Sequence, residues 1–178
     1  MRAKYESNGA FRTSCGASIW STQNLMTCLL EGRDSAGRFA VEHRLRQGSE
    51  PPPHVHTHEN EFLYVLEGHL VVFVDERRLF VGPGGCVFLP RGKPHAFRIT
   101  SPTARLLAII APAGLEGFFR ALGEPAATPD FPVEEPMASE ADVAEFAEIY
   151  GLKFLSEAEI AERLPAMRGR QQRDGPRQ

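Results

Sequence analysis

The stretch GSEPPPHVHTHENEFLYVLEG, residues 48–68, sets histidines at alternate positions, His54, His56 and His58, and follows them with Glu59 and Glu61. In an extended strand the side chains at i and i+2 share a face, so His54 and His56 point the same way. An imidazole pair at that spacing can meet one metal ion if the strand lies beside a cavity. His58 has the same parity, but Thr57 to Asn60 is polar and turn-like, and strand parity is not expected to survive it. Glu61 heads an apolar run, where a solvated acid is out of place. A carboxylate buried there needs a cation or hydrogen-bond donors to offset its lost hydration. Downstream, GGCVFLPRGKPHAFRI places His95 just after Pro94 and before another apolar run. A histidine pinned at the mouth of a β-sandwich could complete three nitrogens and one oxygen around a divalent metal. Such a set suits Mn, Fe, Co, Ni, Cu or Zn rather than Mg or Ca, and affinity alone does not choose among them. Ligation needs neutral imidazole and ionised carboxylate, so metal should be lost as pH falls.

The elements that must hold these residues read as strands. From Trp20 onward, short apolar runs alternate with turn residues at a spacing of about 8 to 12 residues, the rhythm of an all-β sandwich or barrel. NLMTCLLEG reads as a strand, GRDSAGR (32–38) as a hairpin turn, and FAVEHRLRQG as the return strand. On that return strand His43 falls on the mainly apolar face with Phe39, Val41 and Leu45, where a lone histidine reads as a hydrogen-bonded core residue. After Pro112 the texture becomes helical. GLEGFFRALGEP suits a short helix ended by Gly123 and Pro125, and Ser139 can cap a helix running to Tyr150 with Gly151 as its stop. Ser156 and Glu159 form a capping box for a helix over 157–164. The division expected is an N-terminal arm (1–18), a barrel (19–112), a helical C-terminal extension (113–164) and an arginine-rich disordered tail (165–178).

The totals narrow the classes. A chain of 178 residues, 42% hydrophobic and 24% charged, suits one globular domain with a full core. A net charge of -3 gives no global attraction to nucleic acid or to an anionic membrane. No apolar run approaches the roughly 20 residues that span a bilayer. The N-terminal sequence lacks the apolar core of a secretory signal, so a cytoplasmic protein is expected. Cys15, Cys28 and Cys86 are scattered without a CxxC pair, which reads as reduced thiols rather than disulfides or a zinc site.

The chain resembles the cupins. That family carries the motifs G(x)5HxH(x)4E(x)6G and G(x)5PxG(x)2H(x)3N. Gly48, His54, His56, Glu61 and Gly68 fill the first without a gap; Gly84, Pro90, Gly92 and His95 fill the second, with Ile99 in place of the final Asn. The resemblance implies a small jelly-roll barrel with the metal at its mouth. It assigns His54, His56, Glu61 and His95 as ligands of one divalent transition metal and leaves His58 in the turn beside them, an exposed or outer-sphere residue. PPPHVHTHENEFLYVLEG, VGPGGCVFLPRGKPHAFRI and APAGLEGFFRALGEP together are similar to the small single-domain cupins of the quercetin 2,3-dioxygenase type, over residues 20–156; Gly85 departs from that group's usual Asp.

That likeness implies a flavonol or related enolic aromatic substrate and O₂, with Glu61 as both ligand and general base. The pocket is expected to be apolar, lined by inward positions such as Leu63, Val65, Phe88 and Phe97, and a homodimer is expected. Cupins with the same four residues also include non-oxidative enzymes, such as polyketide cyclases and isomerases, and non-catalytic small-molecule-binding modules. Fold membership therefore does not fix the chemistry. Uptake of O₂ separates the first class from the second, and turnover of any kind separates both from the third.

Overall fold

The computed structural model describes residues 18–21, 24–32, 35–132 and 138–168. In chain order the strands are β1 (Ser18–Ser21), β2 (Asn24–Leu30), β3 (Phe39–Arg46), β4 (His54–His56), β5 (Asn60–Glu67), β6 (Leu70–Val74), β7 (Arg77–Val81), β8 (Cys86–Leu89), β9 (His95–Ile99) and β10 (Thr103–Ala111). Then follow α1 (Glu116–Leu122), a two-residue β11 (Glu124–Pro125), α2 (Glu140–Ile149), β12 (Leu152–Phe154), α3 (Glu157–Arg163) and a 3-10 turn, Pro165–Arg168. The result is a β-sandwich with a helical C-terminal extension. No helix among the described residues is long and apolar enough to cross a membrane.

The strands form two sheets, ordered β11-β1-β2-β3-β10-β5-β8 and β12-β4-β9-β6-β7. Period-two patterning decides which residues enter the core between them. β10 shows it most cleanly: Ala104, Leu106, Ala108 and Ile110 are buried and the residues between them are not. β6 is different, since all of LVVFV is buried. Leu70, Val72 and Val74 face the main core, while Val71 and Phe73 join a second cluster with Val55, Ala96, Leu155 and Leu164. An uninterrupted apolar strand is what a sheet covered on both faces requires, and here the end of the chain supplies the second cover.

Local signals fix that cover. Ser139 Oγ accepts a hydrogen bond from Asp142 N at the start of α2. Ser156 and Glu159 close the expected capping box on α3. The sequence places residues 165–168 at the head of the arginine-rich tail. Pro165–Arg168 make a 3-10 turn, and Ala166 and Met167 pack against the second cluster. The apolar Leu164, Ala166 and Met167 outweigh the charge of the surrounding residues. Residues 1–17 of the expected arm and 169–178 of the expected tail lie outside the described residues. Leu164 is fully buried, so Leu164→Ala should cost about 2–5 kcal/mol by chemical denaturation. A loss below about 0.5 kcal/mol would mean that this packing is not part of the stable fold.

Gly68, at the turn from β5 to β6, has φ +82 and would drive any Cβ into the backbone of Thr103 and Ala104. Only glycine meets both demands, which explains the residue that closes the first motif.

Candidate metal centre

β4 carries HVH, and its neighbours are β12 on one side and β9 on the other. His54 lies opposite His95 of β9, while Leu152 and Phe154 of β12 lie opposite His56 and His54. The loops are tied as well. Gly92 N donates to His56 O at 2.8 Å, and Thr57 N and Oγ1 each donate to Gly151 O at 2.8 Å. Gly151, at φ +71, packs so closely on Thr57 and His58 that a side chain there would collide with both. Glu61 approaches from the other sheet, on β5.

These strands bring His54, His56, Glu61 and His95 together, with one candidate ligand atom from each lying within 4.8 Å of all the others. His54 Nε2 is 3.2 Å from His56 Nε2 and 3.2 Å from His95 Nε2. Glu61 Oε2 stands 3.4 Å from His56 Nε2 and 3.7 Å from His95 Nε2. The outer ring nitrogens explain the orientation. His54 Nδ1 donates to Pro52 O at 2.7 Å and His95 Nδ1 to Lys93 O at 3.1 Å. In a neutral imidazole that bond fixes the tautomer and leaves the lone pair on Nε2. Three ring nitrogens and a carboxylate therefore converge on one point, an arrangement that needs a metal ion, or a proton on one ring, to offset its repulsion. The donor set fits a divalent transition metal.

Charge in the metal-free cluster follows from burial and neighbours. Burial, then the nearby His95 and His56, lowers the His54 pKa to about 3. His95 is lowered, chiefly by burial. Burial also acts to lower His56, but the carboxylates of Glu59 and Glu61 outweigh it and raise the pKa to about 9. Burial acts to raise Glu61, but the facing His56 holds it down at about 2. At pH 7 the cluster thus carries one proton, on His56, and that proton must leave for Nε2 to ligate. Metal binding should release about one proton per ion at pH 7, and affinity should rise roughly tenfold per pH unit until about pH 9. Titration calorimetry in buffers of different ionisation enthalpy measures this number. Zero released protons would remove His56 from the ligand set.

The cluster opens on a cavity of about 440 Å³. Leu63 and Phe97 line it as the sequence suggested, together with Met26 and Leu106. Val65 does not line it and is buried in the main core. Phe88 is 58% exposed and faces outward. The inward residues of β8 are Val87 and Leu89, because Leu89 pairs with Glu61 and Val87 with Leu63. Cross-strand partners share a face, so Phe88 goes out with Phe62. His58 is exposed and lies outside both the cluster and the cavity lining.

Three features escaped the sequence reading. Phe118 and Phe119 of α1, Val143 of α2 and Phe154 of β12 wall the cavity, so the extension is part of the site. His43 lines the cavity rather than resting in the core. Glu59 is 3% exposed, and its Oε2 stands 3.7 Å from His56 Nδ1; both atoms are buried without a hydrogen-bond partner among the described residues. An acid in a polar turn gives no sign of burial, but its position three residues after His56 could have suggested one.

Residues 41–110, which contain all four clustered side chains, match the family described as the cupin domain. The chain thus carries a cupin domain. The chain is 30% identical over 103 residues to quercetin 2,3-dioxygenase of Bacillus subtilis (strain 168), a match covering 57% of this chain and 31% of that protein. The chain thus spans about a third of the length of the curated relative it matches. Among solved structures, the sandwich superposes on an RmlC-like cupin from Shewanella frigidimarina NCIMB 400 with a TM-score of 0.51 and 21% identity, covering 66% of this chain and 99% of that one. It superposes on the Schizosaccharomyces pombe Cnp3 cupin domain with a TM-score of 0.51 and 19% identity, covering 68% and 93%. At these identities the structures speak for the cupin fold alone.

Proposed function

We propose that this cupin is a metal-dependent dioxygenase of the quercetinase type, which holds one divalent transition metal through His54, His56, Glu61 and His95 and cleaves a flavonol or related enolic aromatic with O₂. The observation that carries the reading is the convergence of Nε2 lone pairs and one carboxylate at the wall of an apolar cavity. The partial likeness to quercetin 2,3-dioxygenase supports the substrate class. The metal, when bound, supplies Lewis acidity and a common template for the two reactants.

The chain's own residues do the rest. Glu61 is ionised throughout the working range and accepts the proton of the substrate hydroxyl. Glu50 also lines the cavity, but its Oε1 already accepts from Ile99 N at 2.6 Å. Pro52 O and Lys93 O hold the outer nitrogens of His54 and His95, so those rings keep their orientation as the proton moves. Phe97, Phe118, Phe119 and Phe154 offer a dry surface to a flat aromatic body and exclude water from the reacting centre.

The test is O₂ consumption by protein separately loaded with Fe, Mn, Ni, Co, Cu and Zn, against a flavonol panel headed by quercetin. Uptake matched to the loss of flavonol absorbance is expected with at least one metal. No uptake with any loaded form would overturn the oxidative reading and favour a non-oxidative cupin enzyme or a binding module.

A further inference from the structure

The polar side chains of the cavity wall outside the four-residue cluster are not equivalent. Asn24 and Ser49 satisfy each other: Ser49 Oγ donates to Asn24 Oδ1 at 2.5 Å, and Asn24 Nδ2 donates to Ser49 O at 2.9 Å. Glu50 is held by Ile99 N, and Ser21 has a partner too. His43 differs. No ring nitrogen of His43 hydrogen-bonds a described residue, and its contact with protein is an edge-on approach to Phe119 at 5.9 Å. It is enclosed by apolar neighbours, with Met26 and Leu106 beside it in register and both on the same wall. It nevertheless keeps some exposure. Neither ring nitrogen is sealed off by protein, so both can bond what enters the cavity. Burial keeps the ring neutral, with its pKa lowered to about 4, so it offers one donor and one acceptor rather than a charge.

Its position sets the kind of ligand. Glu61 is on β5 and His43 on β3, with β10 between them, so the two strands lie about 10 Å apart. We propose that His43 is a specificity-determining residue that hydrogen-bonds a second polar group of the cavity's ligand, remote from the group that meets Glu61. The ligand is then a largely apolar, ring-sized molecule with two separated hydroxyl or carbonyl groups. The inference rests on the reading above only in that the same cavity takes a small molecule; it does not require oxidation.

The test compares 4-fluorobenzyl alcohol with 4-fluorotoluene, probes that differ by one neutral hydroxyl, binding to the zinc-loaded full chain by fluorine NMR. Wild type should bind the alcohol about 3- to 10-fold more tightly than the toluene, the range of one net hydrogen bond. His43→Phe should bind both alike at unchanged zinc content, and His43→Gln should restore part of the preference. If the phenylalanine variant does not fold, His43→Leu serves in the same comparison. Equal affinities in wild type, the same preference in the apolar variant, or no binding of either probe would each overturn the proposal. A His43-dependent preference without flavonol turnover in any metal form would uphold it while the dioxygenase reading falls. Turnover with the preference unchanged in the apolar variant would do the reverse.

Discussion

Glu61→Gln should abolish turnover, with a fall in kcat of about 10²–10⁴-fold even when the variant is saturated with metal. The amide keeps the shape and one oxygen of the carboxylate but cannot take a proton, and a positioned general base contributes about that factor. The amide is also a weaker ligand and removes the negative charge that faces His56 and His95. Metal affinity should therefore fall as well, and the two effects are separated by measuring kcat at saturating metal. The His56 proton reports the same change from the other side. Glu61 helps hold the His56 pKa near 9, so the variant should release less than one proton on binding metal at pH 7. Full activity of the loaded variant would remove Glu61 from the mechanism.

Glu59→Gln should weaken metal binding by about 10–100-fold while leaving kcat of the saturated protein close to wild type. Carboxylates that face the outer nitrogen of a ligating histidine fix its tautomer and raise its basicity, and their loss costs about that much affinity. Glu59 is placed for this role toward His56, as Pro52 O is for His54 and Lys93 O for His95. At 3.7 Å the pair is short of a hydrogen bond, and both atoms are buried and unpartnered. A small movement that closes the gap satisfies both at once. A competition titration against a chelator measures the change. Unaltered affinity would make Glu59 a structural residue of the turn. A loss of kcat at full occupancy would mean that it acts on the substrate instead.

Much of this site was legible because its signals are short-range. Period two places His54 and His56 on one face, and an acid at the head of an apolar strand is an anomaly that asks for a cation. The same logic identified Leu63 as inward. It failed at Phe88, where an aromatic among apolar neighbours gives no parity of its own. Only the pairing of Leu89 with Glu61 shows which way β8 faces. His43 was read correctly as inward-facing. What the strand pattern could not show is that the sandwich is left open there and closed instead by α1, α2 and β12, elements from the far end of the chain. Leu164 and the turn after it were obscured by the arginines around them. Sheet order and long-range closure depend on contacts distant in sequence, and local pattern does not encode them.

One divalent transition metal should sit among His54, His56, Glu61 and His95. The most direct test is anomalous diffraction from crystals of the zinc-loaded chain, collected on both sides of the metal's absorption edge. One strong peak per chain is expected, enclosed by the Nε2 atoms of the histidines and a carboxylate oxygen of Glu61. A cluster without a peak, or zinc held by His58 or His43 instead, would contradict it.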